Sequence, residues 1–154
     1  MRIRLARLLR SVLLILSLAA FSATADEIAG VVKNVKGTVN ITRDSTIVAA
    51  TPGTVVLVAD QISTGRDGSL GITLKDDTLL SYGPNTTVKF DSFNFDSTTH
   101  EGNILLSMIK GSMVFVTGLI GKKTPQKVSV KVPNATIGIR GTEFVVEVEG
   151  ENPN

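Results

Sequence analysis

The chain has 154 residues, 42% apolar and 19% charged, with one histidine and no cysteine. That size suits one domain with a processing segment, and the apolar fraction excludes an intrinsically disordered chain. Lack of cysteine excludes disulfide scaffolds, zinc–thiolate sites, iron–sulfur clusters, thiol nucleophiles and a lipidated N-terminal cysteine, and a lone histidine excludes most histidine-based metal clusters.

Charge is unevenly placed. Arg2, Arg4, Arg7 and Arg10 precede an uncharged stretch with the apolar run Val12-Leu13-Leu14-Ile15-Leu16, which ends in the small-residue site Ala23-Thr24-Ala25. A basic start, a short apolar run and a small-x-small site predict a secretory signal peptide over residues 1–25. The run is shorter than the roughly 20 apolar residues that a spanning helix needs. No Arg-Arg pair occurs, which favours general secretion over twin-arginine export. Without residues 1–25 the 16 basic residues fall to 12 against the same 14 acids, a net charge of −2. Binding to nucleic acid through a basic surface thereby loses its support. The expected product is an exported domain over residues 26–149 with a flexible tail at 150–154, and no membrane span after cleavage.

Along that domain, apolar residues alternate with polar ones at period two, the mark of half-buried strands. Val35, Val39 and Ile41 share a parity with Gly37; Leu70, Ile72 and Leu74 follow, then Val88 with Phe90 and Phe93 with Phe95. Ile104 to Val116 is the most continuous apolar stretch, predicted as two central strands buried on both faces around a Lys110-Gly111-Ser112 turn, with a buried helix as the alternative. Gly118 to Gln126 reads as a mobile basic loop. Val128, Val130 and Val132, then Ala135, Ile137 and Ile139, then Phe144, Val146 and Val148 resume the alternation. Turn sequences such as Thr51-Pro52-Gly53, Gly83-Pro84-Asn85 and Pro133-Asn134 separate the runs. The predicted fold class is all-β, a sandwich or β-roll of many short strands with minor helix.

Catalytic signals are weak. His100 lies in a polar stretch with loop composition and reads as a solvated histidine. No Gly-x-Ser-x-Gly occurs to present a serine nucleophile. Asp76-Asp77 is a candidate carboxylate pair, but neighbours in a tight turn point apart. Asp91 and Asp96 lack the oxygen-ligand spacing of a calcium loop. Glu147, Glu149 and Glu151 share one face of an extended strand and read as a charged edge that blocks aggregation. No catalytic, metal or cofactor site is assigned, and the chain is read as a non-enzyme.

The segment from Val128 to Val146, with Pro133-Asn134 and Arg140-Gly141-Thr142-Glu143-Phe144 inside it, resembles the closing motif of the FecR domain. Asp60-Gln61-Ile62-Ser63-Thr64-Gly65 and Leu74-x-Asp76-x-Thr78-x-Leu80 with Gly83-Pro84-Asn85-Thr86 are similar to its earlier stretches, and Gly30-Val31-Val32 to its opening. The likeness spans about residues 30–148. It implies a periplasmic or extracellular interaction module, in cell-envelope sensing or iron-uptake signalling. Founding members join this domain to a cytoplasmic anti-sigma segment through a membrane helix; neither is expected here. The implied partner is a protein or another envelope component. A self-associating structural component of the surface or envelope is the alternative. Within the motif, Gly141 separates two alternating strands, where positive φ lets the chain change sheets. Arg140 and Glu143 then project from the turn, to brace it or to meet a partner. Phe144 is expected in the core, at a cost of about 3–5 kcal/mol when cut to alanine.

Overall fold

The computed structural model describes residues 27–150. The predicted signal peptide at 1–25 and residues 151–154 of the predicted tail lie outside them. The described residues form twelve strands: β1 (Ile28–Lys36), β2 (Val39–Arg43), β3 (Thr46–Ala49), β4 (Val55–Leu57), β5 (Gln61–Thr64), β6 (Ser69–Leu74), β7 (Leu79–Tyr82), β8 (Thr87–Phe95), β9 (Gly102–Val116), β10 (Val128–Val132), β11 (Ala135–Gly138) and β12 (Glu143–Val148). Between β9 and β10 come a short helix, α1 (Leu119–Lys123), and a 3-10 turn at Pro125–Lys127. The all-β expectation holds.

The strands form one curled sheet with two halves. One half runs β4-β1-β6-β7-β9-β12 and the other β3-β2-β5-β8-β9-β10-β11. Every pairing is antiparallel except β9 with β10. Strand β9 belongs to both halves. Its first part pairs with β8 and β10, and its last part, from Gly111 on, with β7 and β12. The apolar inner faces of the halves close on each other, with Phe90, Phe93, Leu106, Met113 and Phe115 fully buried between them.

Here the structure corrects the two-strand expectation for Ile104 to Val116. Lys110-Gly111-Ser112 is a bend inside one strand. Buried positions are Ile104, Leu106 and Met108 before it and Met113 and Phe115 after it, so the inward parity switches at the bend. Only one face is core; Leu105 and Val114 on the other are half-buried. Gly111 has φ +98°, and a β-carbon there would stand 2.2 Å from Thr86 Oγ1 and 2.3 Å from Thr86 Cα. Positive φ and close backbone approach together require glycine. Thr86 Oγ1 accepts the Ser112 N–H at 3.0 Å and fixes the bend.

The basic loop expected at Gly118 to Gln126 is folded instead. Ile120 is fully buried while Lys122 and Lys123 face solvent. Two apolar residues are too few to show a helical period, so composition alone read as loop. Strand β11 also departs from expectation: all four residues are exposed and only Ile139, just past it, reaches the core. Its alternation comes from an edge strand that, among the described residues, pairs with β10 alone. The continuous run read from Val35 to Ile41 is split at Gly37, where β1 leaves one half and β2 enters the other.

Candidate functional site

Buried polar groups mark the places where the chain crosses between elements. Asp60, 1% exposed, accepts Arg43 Nε at 2.8 Å, Arg43 Nη2 at 2.7 Å and the Leu57 N–H at 2.8 Å. The planar guanidinium matches both carboxylate oxygens. Thr64 Oγ1 donates to the Gly83 carbonyl at 2.7 Å and accepts the Thr86 N–H at 2.9 Å. Asp76, 0% exposed, accepts the Thr78 N–H at 3.1 Å, the Thr78 hydroxyl at 2.8 Å and the Ile120 N–H at 3.2 Å. The Gly118 N–H donates in turn to Thr78 Oγ1 at 3.1 Å. Asp76 and Thr78 thus hold the start of α1 against the β6–β7 turn. Buried polar groups of this kind are tolerated because each has partners.

Among the described residues only two of the candidates come together, Asp96 and His100, in an exposed turn where the His100 N–H donates to the Asp96 carbonyl at 2.8 Å. Asp76 points inward and Asp77, at φ +63°, is exposed, so the pair diverges. His100 is exposed, at φ +58°, with its ring stacked on Phe95 at 6.3 Å between centroids. Asp91 accepts the Ser107 hydroxyl, while Asp96 accepts the N–H groups of Thr98 at 2.7 Å and Thr99 at 3.0 Å. The Thr99 and Thr98 N–H groups, with His100 nearby, hold the Asp96 carboxyl below its ordinary range. Among the described residues no group of three or more His, Asp or Glu side chains is placed to share a metal ion, and no helix is long and apolar enough to cross a membrane.

The closing motif forms the passage from β11 to β12, between the two halves of the sheet. Gly141 has φ +143°. Its carbonyl accepts the Thr117 hydroxyl at 2.8 Å, and the Thr142 carbonyl accepts the Thr117 N–H at 2.8 Å. Thr117 therefore braces the turn. Arg140 is exposed, and among the described residues no hydrogen bond or ion pair ties its side chain to the turn. Thr142 and Glu143 are exposed as well. Phe144 is half-buried and stacks on Phe115 at 4.8 Å between ring centroids. Because it keeps part of its surface in water, Phe144→Ala is expected to cost about 2 kcal/mol, below the range for a full core aromatic; a urea titration measures it.

Strand β12 pairs with β9 alone among the described residues, which leaves its second edge free. Residues directly opposite one another in a sheet share a face. On the outer face Val145 lies opposite Val114, Glu143 opposite Val116 and Glu147 opposite Ser112. Val145 is 67% exposed. Where the two halves part at the bend of β9, the last residues of β12 and the β10–β11 hairpin enclose an open groove of about 860 Å³. Ile109, 50% exposed, lines it together with Val132, Ile137 and Val148, and Lys110, Glu147 and Glu149 add charge.

Residues 60–154 match the family model described as FecR protein. No curated protein and no solved structure matches the chain. The matched segment contains the buried Asp60, Thr64, Asp76, Thr78 and Thr86, the bend of β9 and the Gly141 passage. It covers more than half of the sequence, and the chain belongs to the FecR protein family.

Proposed function

We propose that this FecR-family chain is an exported, non-enzymatic interaction module of the cell envelope, periplasmic or extracellular. The family match supports a signalling-related role in the envelope. In this reading residues 1–25 direct export and are removed, residues 26–149 form the interaction domain, and residues 150–154 are a flexible tail.

The observation that carries the reading is the division of labour among polar side chains. Asp60, Thr64, Asp76, Thr78 and Thr86, all in the family segment, have their polar atoms engaged inside the protein. A general base must reach a substrate proton, and the oxygens of Asp60 and Asp76 are turned to donors inside the protein. Among the groups left facing solvent are those on open strand edges, and an open edge binds by adding a strand from a partner. Arg140 and Glu143, exposed beside the β12 edge, are then partner contacts. An affinity capture from envelope extract with the tagged domain, 26–154, tests this. Recovery of a saturable partner is expected; capture equal to the empty tag would refute it.

A self-associating envelope component is favoured by one separate observation. Edge strand β3 carries no charge and exposes Ile47 at 68% and Val48 at 48%. Uncharged apolar edges template pairing between copies. Light scattering over a wide concentration range decides: growth of the particle that is abolished by Ile47→Lys supports assembly through β3.

A further inference from the structure

We infer that the free edge of β12 and the groove beside it take an extended protein segment of basic–apolar–basic pattern, a charge mirror of Glu143-Phe144-Val145-Val146-Glu147. This rests on the interaction-module reading and gives its partner a chemistry.

Three features of the edge converge. Among the described residues its backbone is unpaired on the side away from β9. Its outer face presents acid, apolar, acid in order at Glu143, Val145 and Glu147, with Val145 exposed. Its inner side chains Val146 and Val148 continue into the groove, where Ile109 and Ile137 expose apolar surface. A strand laid along β12 places alternate residues on these two sides. The outer set meets Glu143, Val145 and Glu147, which calls for a cation, an apolar residue and a cation. The inner set enters the groove, where Ile109, Val132, Ile137 and Val148 call for apolar residues between the charges of Lys110 and Glu149 at its rim. The motif is Lys/Arg-apolar-apolar-apolar-Lys/Arg, and its symmetry suits either strand direction.

Register excludes a second copy as the occupant. Pairing two β12 strands antiparallel about Val145 sets Glu143 of one copy directly against Glu147 of the other, twice. A shift by two residues sets Val145 against Glu147 and Glu143 against Glu149. Like charges directly opposite are destabilising in a sheet, and a carboxylate opposite an apolar residue gains none of the favourable pairings. The acids that keep copies apart are the ones that select a basic strand, which combines attraction to one partner with rejection of another.

The test uses fluorescent peptides containing Lys-Val-Val-Val-Lys, the order isomer Val-Lys-Lys-Val-Val, and Glu-Val-Val-Val-Glu, titrated by anisotropy against the chain from residue 26 on. The first should bind saturably and the isomer about tenfold more weakly, since only the first puts both cations opposite acids. The variant Glu143→Lys/Glu147→Lys should reverse the preference toward the acidic peptide. Both positions are exposed, so its melting curve should match that of the parent. Equal binding of the two lysine peptides, no binding, or an unreversed preference in the double variant would each overturn the inference. A dimer in light scattering that Val145→Lys dissolves would also overturn it, by giving the edge to a second copy. Envelope capture that persists unchanged in the double variant would overturn the β12 assignment and leave the interaction-module reading intact. Capture of nothing by either form would strike that reading alone, with the peptides deciding this one.

Discussion

Asp60 and Asp76 are the same residue, equally buried, and stabilised in different ways. Asp60 faces a guanidinium whose other side reaches water, and one backbone N–H completes its shell. Asp76 has three neutral donors from Thr78 and Ile120. The first ties β2 to the β4–β5 turn across 17 residues; the second ties the β6–β7 turn to α1 across 44. A charge pair tolerates some loss of geometry because attraction falls off slowly with distance. A carboxylate held by neutral donors depends on each N–H or O–H lying within bonding distance. The Asp76 site should therefore be the more brittle of the two.

Breaking each site tests that ranking. Asp76→Ala orphans the Thr78 and Ile120 N–H groups and frees the start of α1; it should cost about 3–5 kcal/mol in a urea titration, near the limit for single substitutions. Hydrogen exchange should show α1 opening with it. Arg43→Met leaves Asp60 with a single donor and should cost about 2–4 kcal/mol, below the value for a fully buried pair because Arg43 is partly solvated. Adding Asp60→Leu to Arg43→Met should restore much of that loss, since no buried charge is left without a counter-charge. The corresponding Asp76→Leu should give no such recovery, because it leaves three buried donors without an acceptor, the Thr78 N–H and hydroxyl and the Ile120 N–H, against the single Leu57 N–H at Asp60. A double variant at 43 and 60 no more stable than the single one would remove the distinction.

Tyr82 extends the comparison to a buried polar atom with no protein partner. Its ring is 2% exposed and its hydroxyl has no hydrogen bond among the described residues. Burial pushes the phenol far above its ordinary range, so it stays protonated. Tyr82→Phe should therefore stabilise the fold by about 1 kcal/mol, seen as a raised urea midpoint at unchanged slope.

The smallest effect belongs to Asp96, an exposed carboxylate with two backbone donors. Its folded value lies below its unfolded one, so its contribution is complete above the ordinary carboxylate range and is lost as pH falls through the lower folded value. Acid should lower the exchange protection of the Thr98 and Thr99 amides, measured against their intrinsic rates at each pH, while the global melt is set by the buried sites. The same loss of protection at neutral pH in Asp96→Ala would assign it to this carboxylate.

Much of the strand content was legible because alternation is a local property. Leu70, Ile72 and Leu74, or Val128 and Val130, show their inward faces without reference to anything else in the chain. The FecR motif was legible too, as an ordered set of short segments. The roles within it were not. Asp60 gave no sign of Arg43, and Asp76 gave none of Ile120, because hydrogen bonds between distant positions leave no trace in local periodicity. Ile137 alternates as regularly as Val130 and is exposed, since period two marks a strand and leaves open whether a second layer covers it.

Sequence alone determined that this is a β protein of the FecR type, with most of its inward faces and turns, because side-chain alternation and turn chemistry act over a few residues. Only the tertiary structure decided that β9 is one bent strand shared by two half-sheets, that two buried aspartates lock distant turns, and that β12 keeps an open acidic edge. Those features depend on which segments meet in space, and the burial of the apolar faces settles that for the chain as a whole.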